Sequence, residues 1–128
     1  MAMLDIDISG AVEPTAVPAG SEAKLSIGWA EINTEDEDNP YMRVTFSMPD
    51  EPTSRDFTGF LSLPAAARNQ KQNNECKYKL GLFLQTFGAA MPLDPDDLLG
   101  KEGWAIVGLK SSDQYGDQNT IRKYLPGK

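Results

Sequence analysis

Residues 74–87, NECKYKLGLFLQTF, decide the fold because their period differs from that of the chain on either side. Their apolar residues recur every three or four positions, as in a helix that buries one face. These residues are Cys76, Leu80, Phe83, Leu84 and Phe87. Asn73 or Asn74 can cap the start of this helix, and Gly88 can end it. Residues 64–73 are polar, and the sequence leaves open whether they add a helical turn or stay mobile.

Three runs before this helix alternate apolar and polar residues, which is the period of a half-buried strand. They begin at Ala23, at Tyr41 and at Asp56, and turn-rich segments separate them. The apolar faces comprise Leu25, Ile27 and Trp29, then Met42, Val44, Phe46 and Met48, then Phe57, Leu61 and Leu63. The opposite faces of the second and third runs comprise Tyr41, Arg43, Thr45 and Ser47, then Thr58, Phe60 and Ser62.

Strands resume after the helix. Residues 94–99, DPDDLL, predict a short helical turn opened by Asp94 or Asp96. Residues 104–110 form a β-rich run, and residues 111–118 then predict a hairpin loop with Gly116 in it. A last short strand follows at 120–125 and ends at Pro126.

Three strands, one helix and a two-stranded hairpin predict a mainly β fold. The layout is that of a five-stranded OB-fold barrel with its helix between strands 3 and 4. An open α+β sheet with the helix across one face fits the same order and remains the alternative. Residues 9–22 are rich in Pro, Gly and small side chains. We therefore expect residues 1–22 to be a flexible lead-in and residues 23–128 to be the folded domain.

Composition excludes several kinds of chemistry. The 128 residues include no His and one Cys, which removes His-based acid–base catalysis, nearly every zinc site and internal disulfides. No catalytic constellation or cofactor motif is found, so we expect a non-enzymatic domain without cofactor or metal. The N-terminal stretch MAMLDIDISG carries acids where a signal peptide carries bases, and no apolar run could span a membrane. We expect a cytoplasmic protein with no membrane partner.

Charge is distributed unevenly along the chain. The net charge is −7, but residues 1–56 hold twelve acids and three bases, whereas residues 57–128 hold seven acids and nine bases. The longest acidic run is Glu35–Asp38, in a predicted loop. A locally positive surface is therefore compatible with an acidic protein. Solubilising charge explains the same bases, so charge alone does not decide the function.

Aromatic and basic residues recur on strand faces that should point outward. This combination is typical of single-strand binders, in which rings stack on unpaired bases and cations neutralise phosphates. The candidate nucleic-acid-binding residues are Tyr41, Arg43, Phe60, Lys77, Trp104, Lys110, Tyr115, Arg122 and Lys123. For Trp29, Trp104 and Tyr124, filling the ends of a small barrel is an equally good explanation.

Two C-terminal stretches, LLGKEGW at 98–104 and NTIRKYLP at 119–126, resemble the ending of a family of small phage and prophage proteins. The central helix resembles that of the same family. The resemblance implies an OB fold that binds single-stranded DNA in phage replication and recombination. It implies a phage recombinase or nuclease as a further partner, and it leaves a homodimer open.

A second hypothesis comes from the acidic first half of the chain. An acidic OB-like domain could act as a protein–protein adaptor or as an inhibitor that mimics DNA. The two hypotheses differ in whether oligo-dT quenches the fluorescence of Trp29 or Trp104 in a salt-dependent way.

Overall fold

A computed structural model describes residues 3–114 and 116–128 and shows a mainly β fold. The strands are β1 (Glu22–Asn33), β2 (Tyr41–Ser47), β3 (Phe57–Ser62), β4 (Glu102–Ser112) and β5 (Gly116–Tyr124). One helix, α1 (Gln70–Phe87), and a 3-10 helix (Pro95–Leu98) lie between β3 and β4. The predicted order of three strands, one helix and two strands is confirmed. Asp94 caps the 3-10 helix by accepting a hydrogen bond from the backbone N–H of Asp96.

The five strands form one antiparallel sheet in the order β3-β2-β1-β4-β5. The sheet is not closed, because no backbone ladder joins β3 to β5 within the described residues. It bends far enough for these two edge strands to face each other across a groove. A Cβ built at Gly59 in β3 would lie 3.9 Å from Cγ1 of Ile121 in β5.

Helix α1 begins four residues earlier than the apolar pattern predicts. Asn69 caps it: its side chain accepts from the Gln72 N–H, and the Gln72 side chain accepts from the Asn69 N–H. The expectation that Asn73 or Asn74 caps the helix is therefore wrong. Asn73 instead bonds through its side-chain amide to the backbone of Ala65, which holds the preceding loop. Gly88 ends the helix with φ 68°, as predicted.

Strand β1 contains a bulge that reverses its alternation. The register with β2 shifts between Ile27 and Trp29, because Ile27 exchanges backbone hydrogen bonds with Gly100 and Lys101. Beyond the bulge Ala30 is buried, and Trp29 turns outward with 38% of its surface exposed. The expectation that Trp29 shares the apolar face of Leu25 and Ile27 is therefore wrong.

The C-terminal hairpin is longer than predicted. The ladder of β4 and β5 extends to the pair Ser112 and Gly116, so most of the predicted loop at 111–118 is strand. A second register shift, between Ile106 and Val107, leaves both Arg122 and Lys123 exposed. Simple alternation would place one of these two neighbours inside the protein.

The core lies between the concave face of the sheet and α1. All five predicted apolar residues of the helix are buried, and Phe87 stacks on Phe46 with ring centroids 5.8 Å apart. A Cβ at Gly103 would lie 2.5 Å from the Thr86 carbonyl oxygen, so only glycine lets the helix end approach β4 so closely. In the part of the chain that the structure describes, no helix has the length and apolarity needed to cross a membrane.

Residues 13–21 of the lead-in are hydrogen-bonded to the sheet. Thr15 forms a parallel bridge with Ser54, just before β3. Val17 exchanges two hydrogen bonds with the side-chain amide of Asn119, a buried polar residue of β5. The lead-in thus spans the gap between the start of β3 and β5. Residues 3–12 are exposed throughout.

Candidate functional site

Four side chains form a continuous surface on the outside of β1, β2 and β3, here called the aromatic face. They are Trp29, Tyr41, Arg43 and Phe60. The Arg43 guanidinium lies 4.7 Å from the centre of the Trp29 ring, and Tyr41 meets Phe60 edge-on with ring centroids 5.7 Å apart. Arg43 and Phe60 are directly opposite each other across β2 and β3. The predicted outward orientation of Arg43 and Phe60 is confirmed, and Phe60 is 64% exposed.

Strand alternation and the β1 bulge together build the aromatic face. Alternation in β2 places Tyr41 and Arg43 outside, opposite the buried Met42 and Val44. The bulge adds Trp29, which sequence periodicity had assigned to the core. The Arg43 guanidinium covers one face of the Trp29 ring as a cation–π pair, whereas the Phe60 ring stays exposed. The aromatic face therefore offers flat apolar surfaces and positive charge together.

A groove of about 760 Å³ lies between the edges of β3 and β5, with α1 along its floor. We call it the β3–β5 groove. Apolar contributions come from Phe57, Leu61, Leu82 and Ile121, exposed rings from Phe60 and Tyr78, and cations from Lys79, Lys110, Arg122 and Lys123. Phe60 belongs to both the groove and the aromatic face, so the two surfaces are continuous.

The cations of the groove are available to a ligand. None of Lys79, Lys110 and Lys123 forms an ion pair with any carboxylate in the described residues. Arg122 extends across β4, and its Nη1 would lie 3.6 Å from a Cβ built at Gly20. One acid, Asp56, lines the same groove. The local charge is therefore positive although the protein as a whole is acidic.

Trp104 lies apart from these surfaces. It is half-buried, with the Lys128 ammonium 4.8 Å from the centre of its ring. It lines a separate cavity of about 320 Å³ that also includes the acids Asp50 and Glu51. This acidic neighbourhood disfavours phosphate, since like charges repel.

The other predicted site residues are divided between the site and the rest of the surface. Lys77 is exposed on α1 among Asn69, Asn73 and Asn74, outside the groove. Tyr115 lies outside the described residues. The structure thus brings together Tyr41, Arg43, Phe60, Lys110 and Lys123; Arg122 lines the same groove, but its guanidinium extends across β4 towards Gly20.

Sequence reasoning missed two contributors, Tyr78 and Lys79, and left Trp29 open between binding and packing. Tyr78 is 66% exposed, and both it and Lys79 face the groove from α1. The sequence pattern predicts that both residues are exposed, because they lie outside the apolar stripe of α1. It does not predict that they face the groove, since this depends on how α1 packs beneath β3 and β5.

Tyr124 is partly buried: it packs against the core and also lines the β3–β5 groove. Its ring meets Phe83 and Phe87 edge-on, at 5.7 and 6.3 Å between centroids. Burial raises the pKa of its phenol, because the charged form would lose its hydration. Packing against α1 is therefore shown for Tyr124.

The acidic loop lies away from the groove. Residues Glu35–Asp38 connect β1 to β2 and are fully exposed. Hydrogen bonds from the Asn39 side chain and the Asp38 N–H lower the pKa of Asp36. The loop is therefore a charged surface turn that leaves the floor and rim of the groove free.

Comparison with protein-family models and with curated proteins finds no match for this chain. Function must therefore be argued from the aromatic face and the β3–β5 groove.

Proposed function

We propose that the protein binds single-stranded DNA with little sequence preference, as a strand-coating protein of phage replication or recombination. The observation that carries this proposal is the position of Phe60. Its exposed ring joins the aromatic face to a groove whose cations have no carboxylate partner among the described residues. Stacking surfaces and phosphate-neutralising charges thus alternate along one path.

The path accounts for both parts of a nucleotide. Bases stack on Phe60 and Tyr78, each contact contributing roughly 1–3 kcal/mol whichever base is bound, and Trp29, with Arg43 over its ring, flanks this path. Phosphates between them meet Lys79, Lys110, Lys123 and Arg43. In a duplex the base faces are already stacked on each other, so exposed rings of this kind favour unpaired strands.

We propose in addition that the fold is an OB fold. Strand order β3-β2-β1-β4-β5, with a helix after β3 and with β3 facing β5, is the arrangement of a partly open OB fold. OB folds bind oligonucleotides on the face of strands 2 and 3. The aromatic face lies in that position.

The resemblance to phage single-strand binders supports the fold more than the site. In the two stretches that carry it, Leu98 is buried, Gly103 packs on Thr86, and Asn119 bonds Val17 and Gly108. Tyr124 packs on α1. Lys123 is the exposed charge of those stretches at the groove, since the Arg122 guanidinium extends across β4 towards Gly20.

Tryptophan fluorescence tests the proposal because the two tryptophans occupy different surfaces. We expect oligo-dT to quench the fluorescence of the Trp104→Phe variant, which retains Trp29 on the aromatic face. The Trp29→Phe variant, which retains Trp104, should show little quenching at the same saturation. Added salt should weaken binding, since counterions return to the DNA.

Two outcomes would overturn the proposal. The first is absence of oligo-dT binding at low salt, where phosphate attraction is strongest. The second is quenching confined to Trp104, which would move the site to another surface. Duplex DNA and RNA of equal length should be titrated alongside. If duplex DNA binds as tightly as oligo-dT, the exposed rings do not select unpaired strands.

A further inference from the structure

A second, smaller cavity of about 230 Å³ adjoins the exposed ring of Phe60. It lies between β3 and the first half of α1, and we call it the polar cavity. Phe60 and Lys79 line both this cavity and the β3–β5 groove, so the two are continuous. The side chains that distinguish it from the groove are polar: Ser62, Arg68, Gln72 and Glu75. A base stacked on Phe60 would therefore have hydrogen-bonding groups beside its edge.

Two of these side chains are already held by the backbone and keep further donors. The Arg68 Nε donates to the Leu63 carbonyl, 3.1 Å away, and Arg68 is half-buried. The Gln72 side-chain oxygen accepts from the Asn69 N–H, and its amide N–H groups bond to no other described residue. The charge of Arg68 acts on Asp36, but its Nη atoms form no hydrogen bond or ion pair in the part of the chain that the structure describes. Donors fixed before binding lose less conformational freedom when a ligand arrives.

Glu75 supplies the acceptor of the polar cavity. Its side chain is exposed, and among the described residues its carboxylate forms no ion pair, even with Lys79 one helical turn later. An ionised carboxylate only accepts hydrogen bonds, whereas a guanidinium only donates them. The cavity thus combines a guanidinium from the loop after β3 with a carboxylate from α1. A flat ligand with two acceptors beside two donors would satisfy both groups.

We propose that the polar cavity recognises one base of a bound single strand and prefers guanine. This inference rests on the proposed binding of single-stranded DNA. Guanine presents N7 and O6 as neighbouring acceptors and N1–H and N2–H as neighbouring donors, so it can pair at two atoms with Arg68 and at two atoms with Glu75. Thymine, adenine and cytosine each lack one of these pairs. Proteins that stack unpaired bases on aromatic rings commonly recognise them through such edges. The other bases of the strand stack without discrimination.

Short dT oligomers of equal length that differ in one central base test the inference on the full-length protein. We expect the oligomer with one central dG to bind about tenfold more tightly than the all-dT oligomer, which is within the discrimination of a bidentate pair. Oligomers with dA or dC at this position should bind no more tightly than all-dT. Inosine lacks the 2-amino group of guanine, so an inosine oligomer should lose most of the gain.

Glu75→Gln separates base recognition from general charge. Removing a carboxylate raises the affinity for every strand, so the quantity to compare is the ratio of dG to all-dT affinity within each protein. This ratio should fall towards one in Glu75→Gln and in Arg68→Gln. Glu51→Gln is the matched control, because its exposed carboxylate lies at the separate Trp104 cavity, and it should keep the wild-type ratio. Glu75 makes no contact that holds the fold in the described residues, so the Glu75→Gln variant should melt like the wild type.

Equal affinity of the wild type for the dG and all-dT oligomers would overturn the inference and leave the proposed function standing. A guanine preference that Glu75→Gln retains would also overturn it, because the preference would then arise at another surface. A preference for dA or dC would contradict the match between guanine and the two charged groups. If neither oligomer binds at low salt, the proposed function and this inference both fail.

Discussion

The protein holds two tryptophan–cation pairs of almost equal geometry in opposite electrostatic settings. Arg43 lies 4.7 Å from the Trp29 ring, and Lys128 lies 4.8 Å from the Trp104 ring. Lys128 is also ion-paired with Glu22, whereas Arg43 has no such partner among the described residues. The Trp29 pair continues into Phe60 and the groove. The residues around each tryptophan–cation pair therefore determine whether the charge of its cation is available to a ligand.

Lys24 extends the same contrast. It lies opposite Trp104 across β1 and β4, and its ammonium is 3.7 Å from a Glu102 carboxylate oxygen. The surface around Trp104 thus neutralises its own cations. Around Phe60 the cations Arg43, Lys79, Lys110 and Lys123 form no ion pair among the described residues, although Glu31 lies opposite Arg43 across β1 and β2. Four changes test this difference, each against oligo-dT.

The largest effect is expected from reversing two cations of the groove. Lys110→Glu combined with Lys123→Glu turns two attractive phosphate contacts into repulsive ones, and we expect affinity to fall by about 100-fold at low salt. Lys71→Glu with Lys77→Glu is the matched control, because it changes the net charge equally on exposed residues outside the groove. Fluorescence titration measures the affinity of both double variants for oligo-dT. Equal losses of affinity would show that net charge, and not the groove, determines binding.

Removing the shared ring should have the next largest effect. Phe60→Ala should weaken binding by roughly 1–3 kcal/mol, the value of one stacked base. Because the Phe60 side chain is 64% exposed, the melting temperature of the Phe60→Ala variant should stay close to that of the wild type. Phe60→Tyr retains a stacking ring and should bind normally. If Phe60→Ala binds oligo-dT with normal affinity and its melting temperature is unchanged, the position of Phe60 no longer supports the proposed function.

The two cations of the tryptophan pairs allow a direct comparison. Arg43→Ala should lower the slope of log affinity against log salt by about 0.7, the share of one phosphate on a single strand. Lys128→Ala should leave the slope unchanged, since that ammonium is already paired with Glu22. Titrations at several salt concentrations measure both. An equal decrease in the two variants would show that the pairs are equivalent and that the contrast between the surfaces is wrong.

Periodicity predicted the fold well wherever one period applies throughout an element. The faces of β2 and the buried stripe of α1 follow directly from alternation and from helical spacing. The outward position of Phe60 follows for the same reason. These predictions depend only on local backbone geometry, which the sequence encodes directly.

The features that local periodicity does not give all depend on distant contacts. Trp29 faces outward because residues 100 and 101 bond to Ile27 and create a bulge. Arg122 and Lys123 are both exposed because the register of β4 and β5 shifts. The groove exists because β3 and β5, which are separated in sequence by α1, the 3-10 helix and β4, meet across the bend of the sheet. No local pattern contains this information.

The smallest effect is expected from the acidic loop, and it separates strand coating from the adaptor hypothesis. Replacing Glu35–Asp38 by Gln and Asn removes four negative charges from a turn that does not line the groove. Binding to oligo-dT should stay the same or tighten slightly, because the long-range repulsion of phosphate decreases. The change should be largest at low salt and vanish as salt increases.

An adaptor that recognises a basic protein through this loop would behave differently. Neutralisation of the loop would abolish capture of a basic model protein, and the reversal of Lys110 and Lys123 would not weaken that capture. Measuring all three proteins against oligo-dT and a basic model protein at two salt concentrations gives opposite patterns for the two functions. Weaker oligo-dT binding after neutralisation would show that this loop, which leads directly into Tyr41 of the aromatic face, contributes to the DNA path despite its charge.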